Sequence, residues 1–396
     1  MMKTYFLIPF LALLSALTPL AVDMYLPAMP SIASDFNVSI EIIQTTLSTY
    51  LLGFAIGQLF YGPLADSYGR KPVLICGLIT YLIASIGIVY GDSIEQFKWL
   101  RLLQAIGGGA ASVVVSSLLR DLFSGSLFSK MMSYVVLSMT LAPLVAPLIG
   151  AQLLVWFSWH SIFVLLGIIT VLCIVVSAIG IKETLPKERR VAFNLPQVFR
   201  NYWLILCNRK VLGLMLCGAF NVSGMFAFLT ASPFVYIDYF GIDAQSYGYL
   251  FACNILGMMV VTWMNAKIVM RYGYQQILRA GIIISAVISV LFWVINVNLT
   301  FGLVGLVIST VAYISLISLI GSNVMTGVLA EFPHISGTAS ALSATIRFGF
   351  GAIAGLIISI LHDGTPLPMI MVISGCGILS FLSYFILTGR ANNKDS

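Results

Sequence analysis

The sequence predicts an all-α polytopic membrane protein with twelve transmembrane helices in two six-helix halves. Of its 396 residues, 60% are hydrophobic and 9% are charged, whereas a soluble domain carries roughly 25% charged residues. The uncharged stretches between charged residues repeatedly approach or exceed the roughly 20 residues that a spanning helix needs. These two observations exclude a cytosolic enzyme or a nucleic-acid-binding protein as the main interpretation.

The first half supplies six predicted spans. Four of them come from the uncharged stretches 4–22, 42–65, 72–91 and 102–119. Residues 131–181 form a fifth stretch that is too long for one helix, and the polar-aromatic segment 156–160 divides it into two spans. The first stretch has no small-residue cleavage site, so we interpret it as a helix rather than a signal peptide.

The second half repeats this count. Its spans are predicted from the stretches 211–237, 244–266, 280–330 (divided near 296–300 into two), 335–362 and 364–389. Between the halves, residues 182–209 hold eight charged residues and two prolines, which indicates a solvated linker. The predicted domains are therefore an N-terminal bundle at 1–181, a linker at 182–209 and a C-terminal bundle at 210–396.

Basic residues predict the orientation, because the loops of membrane proteins on the cytoplasmic side are enriched in lysine and arginine. With a cytoplasmic N-terminus, 17 of the 20 basic residues fall on the cytoplasmic side. The exceptions are Lys98, which falls outside, and Arg101 and Arg347, which lie within helices. Both termini are expected to be cytoplasmic.

Catalytic and metal-binding motifs are missing from the sequence. The six cysteines show no CxxC spacing and are expected to be packing residues. No glycine-rich phosphate loop, HExxH motif or nucleophile elbow occurs. We therefore expect neither an enzyme nor a metal site, and no nucleic-acid partner.

Ionisable residues inside spanning segments indicate function, because burying them in lipid is costly. Asp23 lies near the predicted outer end of helix 1, and Arg101 about one turn inside the outer end of helix 4. At ~1.5 Å per residue, both fall at a similar depth in the outer third of the bilayer, where a direct or water-bridged pair is possible. Such a pair suits proton coupling, and a purely structural ion pair is the alternative. Arg347, midway along helix 11, has no identifiable acidic partner.

The segment 62–72 is predicted to form a tight cytoplasmic turn between helices 2 and 3. Glycine permits close approach and positive φ, and Pro72 suits the first turn of the next helix. Asp66 and Arg70 are expected to join across this turn by a charge-assisted hydrogen bond.

The same segment, GPLADSYGRK at 62–71, resembles the signature loop of the major facilitator superfamily, whose pattern is G-x-x-x-D-x-x-G-R-K/R. A degenerate copy at 265–273 has Met270 in the place of Asp66. The resemblance implies the major facilitator fold. It also implies that Asp66, Gly69 and Arg70 stabilise the outward-facing state. We call these three residues, together with Gly62, Lys71 and Asp121, the predicted gate residues.

Two further segments resemble motifs of the superfamily. Residues 101–109 are similar to its helix-4 motif. Residues 142–150 are similar to the helix-5 motif of antiporters through Pro143, Pro147 and Gly150, with Ala142 where many members have glycine.

The wider sequence resembles the bicyclomycin-resistance (Bcr/CflA) branch of drug:proton antiporters. The matching segments are DMYLP at 23–27, LSTYLLGF at 47–54, KETLP at 182–186, GMF at 224–226, PFVYI at 233–237 and EFPH at 331–334. This resemblance implies proton-driven export of bicyclomycin-like and other amphipathic drugs from the bacterial inner membrane by a monomer that needs no cofactor beyond the proton gradient. Asp23 would be the proton site and Arg101 its coupling partner.

A substrate cavity is expected near the midplane between the two repeats. Helix 7 is predicted to open with the mixed aromatic and amide segment 220–228, although phenylalanine and methionine at this spacing often only pack. The candidate lining residues are Tyr25, Tyr50, Gln58, Asn221, Phe226, Tyr236 and Arg347.

Two other functions stay open from the sequence. A proton-coupled transporter of a small metabolite, such as an amino acid, would use the same scaffold. A passive channel or a structural membrane protein is the alternative from a different class, because a fold alone does not select a function.

Overall fold

The computed structural model describes residues 4–190 and 192–388. These residues contain no β-strand, and they form twelve helical segments that are long and apolar enough to cross a membrane. The predicted fold class and number of spans are therefore confirmed. The terminal residues that were expected to be cytoplasmic, 1–3 and 389–396, lie outside the described residues.

The chain divides into two compact units. Unit 1 comprises the residues up to Asn37 and Thr49–Val198, and unit 2 comprises Val38–Ser48 and the residues from Phe199 onward. The helices up to the linker are α1 (Thr4–Asp23), α2 (Met29–Asp35), α3 (Ile40–Tyr68), α4 (Arg70–Val89), α5 (Ile94–Leu122), α6 (Gly125–Trp156) and α7 (His160–Gly180).

The remaining helices are a short linker helix and six longer helices that belong to candidate spans. They are α8 (Leu195–Cys207), α9 (Arg209–Pro233), α10 (Ala244–Tyr272), α11 (Tyr274–Asn296), α12 (Gly302–Glu331), α13 (Ser336–Leu361) and α14 (Leu367–Thr388). A π-helical turn, Phe234–Tyr239, extends α9.

The first span is longer than predicted. After α1 ends at Asp23, the chain forms a 3₁₀ turn at Leu26–Ala28 and continues as α2 to Asp35. Pro27 and Pro30 lack the N–H group that a regular α-helix uses, which accounts for the break. Asp23 is the last residue of α1, as predicted. It lies at an interruption within the spanning segment Phe6–Asp35 rather than at the end of that segment.

The turn between α3 and α4 is shorter than predicted. Helix α3 continues through Gly62 and Pro63 to Tyr68, so the only residue between the two helices is Gly69, with φ +106°. This conformation is open to glycine and strained for other residues. The prediction that the whole segment 62–72 forms the turn is therefore wrong.

Small residues on α5 determine the packing of unit 1. A Cβ atom on Gly107 would lie 2.5 Å from the carbonyl oxygen of Gly77 on α4, and one on Gly109 would lie 3.0 Å from Gly57 Cα on α3. Such close backbone approach is typical of membrane helices that pack through small residues. It places α5, which carries Arg101, against both neighbouring helices.

Two expectations about the second half need correction. The linker contains α8, whose Tyr202 and Ile205 are buried, so it is not solvated throughout. Helix α9 begins at Arg209, where the Asn208 side chain accepts a hydrogen bond from the Val211 N–H. The segment 220–228 therefore lies in the middle of α9 rather than at its start.

Candidate functional site

Arg101 is fully buried in unit 1. It is the eighth residue of α5, about two turns from the start of the helix and deeper than the one turn that was predicted. Its Nη1 atom donates hydrogen bonds to the Ala21 carbonyl (3.2 Å) and to Gln104 Oε1 (2.8 Å). The guanidinium carbon also lies 4.6 Å from the ring centroid of Tyr25 and 4.3 Å from that of Tyr50. Two aromatic faces thus stabilise the cation.

A chain of hydrogen bonds orients Gln104, the side chain that accepts a hydrogen bond from Arg101. Gln104 Nε2 donates to Ser85 Oγ (2.9 Å), and Ser85 Oγ donates to the Tyr81 carbonyl (2.9 Å). Because Gln104 donates to the hydroxyl on α4, its amide oxygen is left to face the guanidinium. In this way α4 orients a side chain of α5.

Asp23 is buried, with 4% of its surface exposed. Within residues 4–190 and 192–388 its carboxyl group forms no hydrogen bond and no ion pair, so the direct pair with Arg101 that the sequence allowed is not formed. Arg101 instead binds the carbonyl of Ala21, two residues before Asp23. We call Asp23, Tyr25, Tyr50, Arg101 and Gln104 the Arg101 centre.

The Arg101 centre is not saturated with hydrogen bonds. In the described part of the chain, the Nε and Nη2 atoms of Arg101 are buried and have no acceptor. An uncompensated buried donor is costly. The centre therefore retains the capacity to bind an additional acceptor, such as a carboxylate.

Helix α6 supports the chain beside Asp23. The predicted antiporter-helix residues Pro143, Pro147 and Gly150 all lie within α6. A Cβ atom on Gly150 would overlap the carbonyl group of Met24. Gly150 therefore lets α6 touch the backbone of Met24, the residue that follows Asp23.

The predicted gate residues form a second cluster, at the Gly69 turn. Arg70 Nη1 donates to Asp66 Oδ1 (2.5 Å), which confirms the expected hydrogen bond, and Arg70 Nε lies 3.4 Å from Asp121 Oδ2. Asp121 Oδ2 also accepts from the hydroxyl of Thr184 (2.8 Å). Lys71 Nζ donates to the Ala178 carbonyl (2.6 Å). Gly62, in contrast, lies in α3 with no described atom within 4 Å of an added Cβ.

The sequence analysis missed Glu183, which lies at the centre of this cluster. Its carboxylate accepts the N–H groups of Arg70 (3.0 Å) and Lys71 (3.2 Å), which are unpaired at the start of any helix. A Cβ on Gly69 would overlap Glu183 Oε2. The signal was present in the sequence, because an acidic residue after α7 suits the positive end of α4, but no local pattern connects the two.

The other cavity candidates are mostly enclosed within their own units. Asn221 and Tyr236 are fully buried in unit 2, where Asn221 Nδ2 donates to Ser285 Oγ (3.1 Å) and the Tyr236 hydroxyl lies 3.4 Å from Thr310 Oγ1. Asn221 Oδ1 is buried and has no hydrogen-bond partner among the described residues. The role of both side chains in lining a cavity stays a prediction.

The remaining candidates differ in exposure. Phe226 packs on Gly351 and Phe348 of α13. Tyr25, Tyr50 and Gln58 in unit 1 are also buried. Arg347 is only half-buried, and its buried Nε atom has no acceptor among the described residues.

Comparison with known proteins identifies the family. The sequence model of the Major Facilitator Superfamily matches residues 11–356. The chain belongs to the major facilitator superfamily. The resemblance to this superfamily and to its bicyclomycin-resistance branch is therefore confirmed. Membership in a family of transporters also supports the prediction that the protein is not an enzyme.

Relatives within the superfamily cover nearly the whole chain. A bicyclomycin resistance protein homolog of Haemophilus influenzae is 36% identical over 98% of this chain and 97% of its own length. A chloramphenicol resistance protein of Pseudomonas aeruginosa is 30% identical over 90% of this chain and 84% of its own length. The crystal structure of a D-xylose-proton symporter superposes with a TM-score of 0.76 at 14% identity. It covers 97% of this chain and 98% of its own and supports the fold alone.

Proposed function

We propose that the protein exports drug-like molecules across a bacterial inner membrane in exchange for protons, with both termini in the cytoplasm. The observation that carries this proposal is the Arg101 centre. Among the described residues, it holds the buried carboxyl group of Asp23 and a buried guanidinium group with two donors that have no acceptor. This guanidinium binds the carbonyl of Ala21, two residues before Asp23. The names of the relatives support drug-like substrates, because one is a bicyclomycin resistance protein homolog and another is a chloramphenicol resistance protein.

The chemistry of the centre suits a proton-dependent switch. A carboxyl group buried in apolar surroundings is tolerated as the neutral acid, whereas a buried carboxylate needs donors or a cation. When Asp23 releases its proton, the Nε and Nη2 atoms of Arg101 offer those donors. Protonation thus changes which contacts are favourable between the chain at Asp23 and α5.

Drug binding and protonation are coupled if each favours a different conformation of the transporter. A ligand shifts such an equilibrium only by its difference in affinity for the two states. The gate residues Asp66, Gly69, Arg70, Lys71 and Asp121, together with Glu183, would stabilise one of these states, because their bonds join α3, α4, α5 and the linker. Substrate selectivity would rest on broad apolar contacts with Arg347 as a polar group.

The proposal is tested first by antibiotic susceptibility. Expression in a pump-deficient bacterium should raise the inhibitory concentration of bicyclomycin, and Asp23→Asn should abolish the increase because an amide cannot exchange a proton. Asp92→Asn is the matched control, since Asp92 is exposed outside the helices. Equal resistance with Asp23→Asn and with the unaltered protein would contradict the role of Asp23.

A second assay tests the coupling directly. Addition of drug to energised inverted vesicles should discharge the pH gradient with the unaltered protein and not with Asp23→Asn. Altered release of an amino acid without any antibiotic resistance would instead indicate a metabolite transporter. Flux that does not saturate and does not depend on the gradient would indicate a channel.

A further inference from the structure

A polar cavity lies at one end of unit 2, separate from the Arg101 centre. Its volume is about 430 Å³, and it lies among the ends of α9, α11 and α14. Its polar lining includes Lys210, Tyr274, Arg279 and Tyr384, and its apolar lining includes Leu214 and Phe385. Since three spanning helices begin or end here, the cavity is at the level where lipid headgroups meet the hydrocarbon region.

The cavity carries an uncompensated positive charge. Lys210 forms an ion pair with Glu331 (2.5 Å), but Arg279 has no acidic partner among the described residues. The Arg279 guanidinium carbon lies 5.7 Å from the ring centroid of Phe385. Arg209 adds a further positive charge nearby, where it donates to the Ile386 carbonyl (3.3 Å). An anion is therefore the ligand that this cavity favours.

The combination of lining groups indicates the chemical class of the anion that the cavity favours. Arginine binds phosphate oxygens with two parallel hydrogen bonds, and the hydroxyl groups of Tyr274 and Tyr384 are additional donors. The apolar wall formed by Leu214 and Phe385 can pack against an acyl chain, whereas it offers no favourable contact to a small hydrated anion. Basic pockets between membrane helices bind the headgroups of anionic lipids in this way.

The Gly273 turn between α10 and α11, beside the cavity, corresponds to the Gly69 turn between α3 and α4 in unit 1. At the Gly69 turn a carboxylate binds the start of the second helix. There the carboxylate of Glu183 occupies the region beside the Gly69 turn. Gly273 has a similar conformation, with φ +77°, at the start of α11. An added Cβ on Gly273 has no described atom within 4 Å, whereas one on Gly69 meets Glu183 Oε2. Among the described residues, no carboxylate thus occupies the corresponding position at the second turn.

We propose that this cavity binds the phosphate group of an anionic membrane lipid. The proposal does not depend on drug export or on proton coupling. A soluble phosphate compound would share the headgroup chemistry, and the apolar wall favours the lipid as the source.

Native mass spectrometry of the purified protein tests the proposal with phosphatidylglycerol as the probe. Arg279→Gln should weaken phosphatidylglycerol binding about fivefold, the effect of one basic residue near a membrane surface. Arg271→Gln should leave the binding unchanged. It is a matched control because Arg271 also lies near an aromatic ring, 5.4 Å from Tyr272, but does not line the cavity.

Three further measurements decide between the outcomes. Equal thermal stability of the two variants in detergent without lipid, and recovery of binding with Arg279→Lys, would support a direct contact. Phosphatidylcholine that binds as tightly as phosphatidylglycerol, or equal losses in the two variants, would overturn the proposal. Displacement of phosphatidylglycerol by millimolar inorganic phosphate would overturn the assignment to a lipid.

Discussion

The buried polar groups of the two units differ in charge. Unit 1 buries the Arg101 centre, with a guanidinium, a carboxyl group and unused donors. Unit 2 buries neutral groups instead: Asn221 donates to Ser285, and the Tyr313 hydroxyl donates to the Asn221 carbonyl (3.0 Å). A neutral network stabilises a bundle at any pH, whereas a charged one responds to protonation. We therefore expect substitutions in unit 1 to affect coupling and those in unit 2 to affect stability.

The largest effect is expected for Arg101→Lys, which keeps the charge but loses the planar guanidinium. Lysine cannot reproduce both the contacts with the two tyrosine rings and the unused donors. Each lost hydrogen bond to a charged group costs about 1.5–3 kcal/mol, so drug-driven proton flux in vesicles should fall more than tenfold. Arg120→Lys, at the exposed end of the same helix, is the control. Normal flux with Arg101→Lys would show that only its charge matters.

The next effect is expected for Gly150→Ala, because the new methyl group would overlap the Met24 carbonyl beside Asp23. Overpacking of this kind costs about 1–3 kcal/mol. Thermal unfolding and the proton flux should both be impaired. Gly375→Ala is the control, since no described atom lies within 4 Å of its added Cβ. If both variants behave alike, the contact between α6 and Met24 has no special role.

In unit 2, Asn221→Ala should lower the free energy of unfolding by about 1–3 kcal/mol, because the Ser285 hydroxyl loses its hydrogen-bond donor. The number of protons exchanged per drug should stay the same. Ser285→Ala and the double variant complete a cycle that isolates the pair. A change in the proton-to-drug ratio would contradict the expectation that substitutions in unit 2 affect stability and not coupling.

The smallest effect is expected for Glu183→Gln. Loss of a negative charge at a helix N-terminus costs about 0.3–1 kcal/mol, so the apparent drug affinity should change two- to fivefold through the balance of conformations. Glu188→Gln, an exposed residue in the same linker, should have no effect. Transport by Glu183→Gln that matches that of Glu188→Gln would argue against a gating contact.

Properties that depend on neighbouring residues could be predicted from the sequence. Hydrophobic length predicted the twelve spans, since each helix satisfies its own backbone groups. The bond between Asp66 and Arg70 was predictable because the two residues carry opposite charges on either side of a tight turn. The presence of a buried charge at Arg101 followed from its position in an apolar stretch.

Properties that depend on distant packing could not be predicted. Tyr50 reaches Arg101 from another helix, and Glu183 reaches Arg70 across 113 residues of chain. The length of the first span was misjudged because helical structure resumes at Leu26, after α1 has ended at Asp23. The partners of Asn221 on α11 and α12 could not be predicted either, because they lie 64 and 92 residues away along the chain.

The single residue between α3 and α4 has a mechanical consequence. Gly69 offers only two backbone torsions, and its N–H is already bonded to the Ala65 carbonyl (3.2 Å). A change in the angle between the two helices cannot be spread over a connecting segment. Any change in that angle must therefore arise at the two torsions of Gly69 or from bending of the helices themselves.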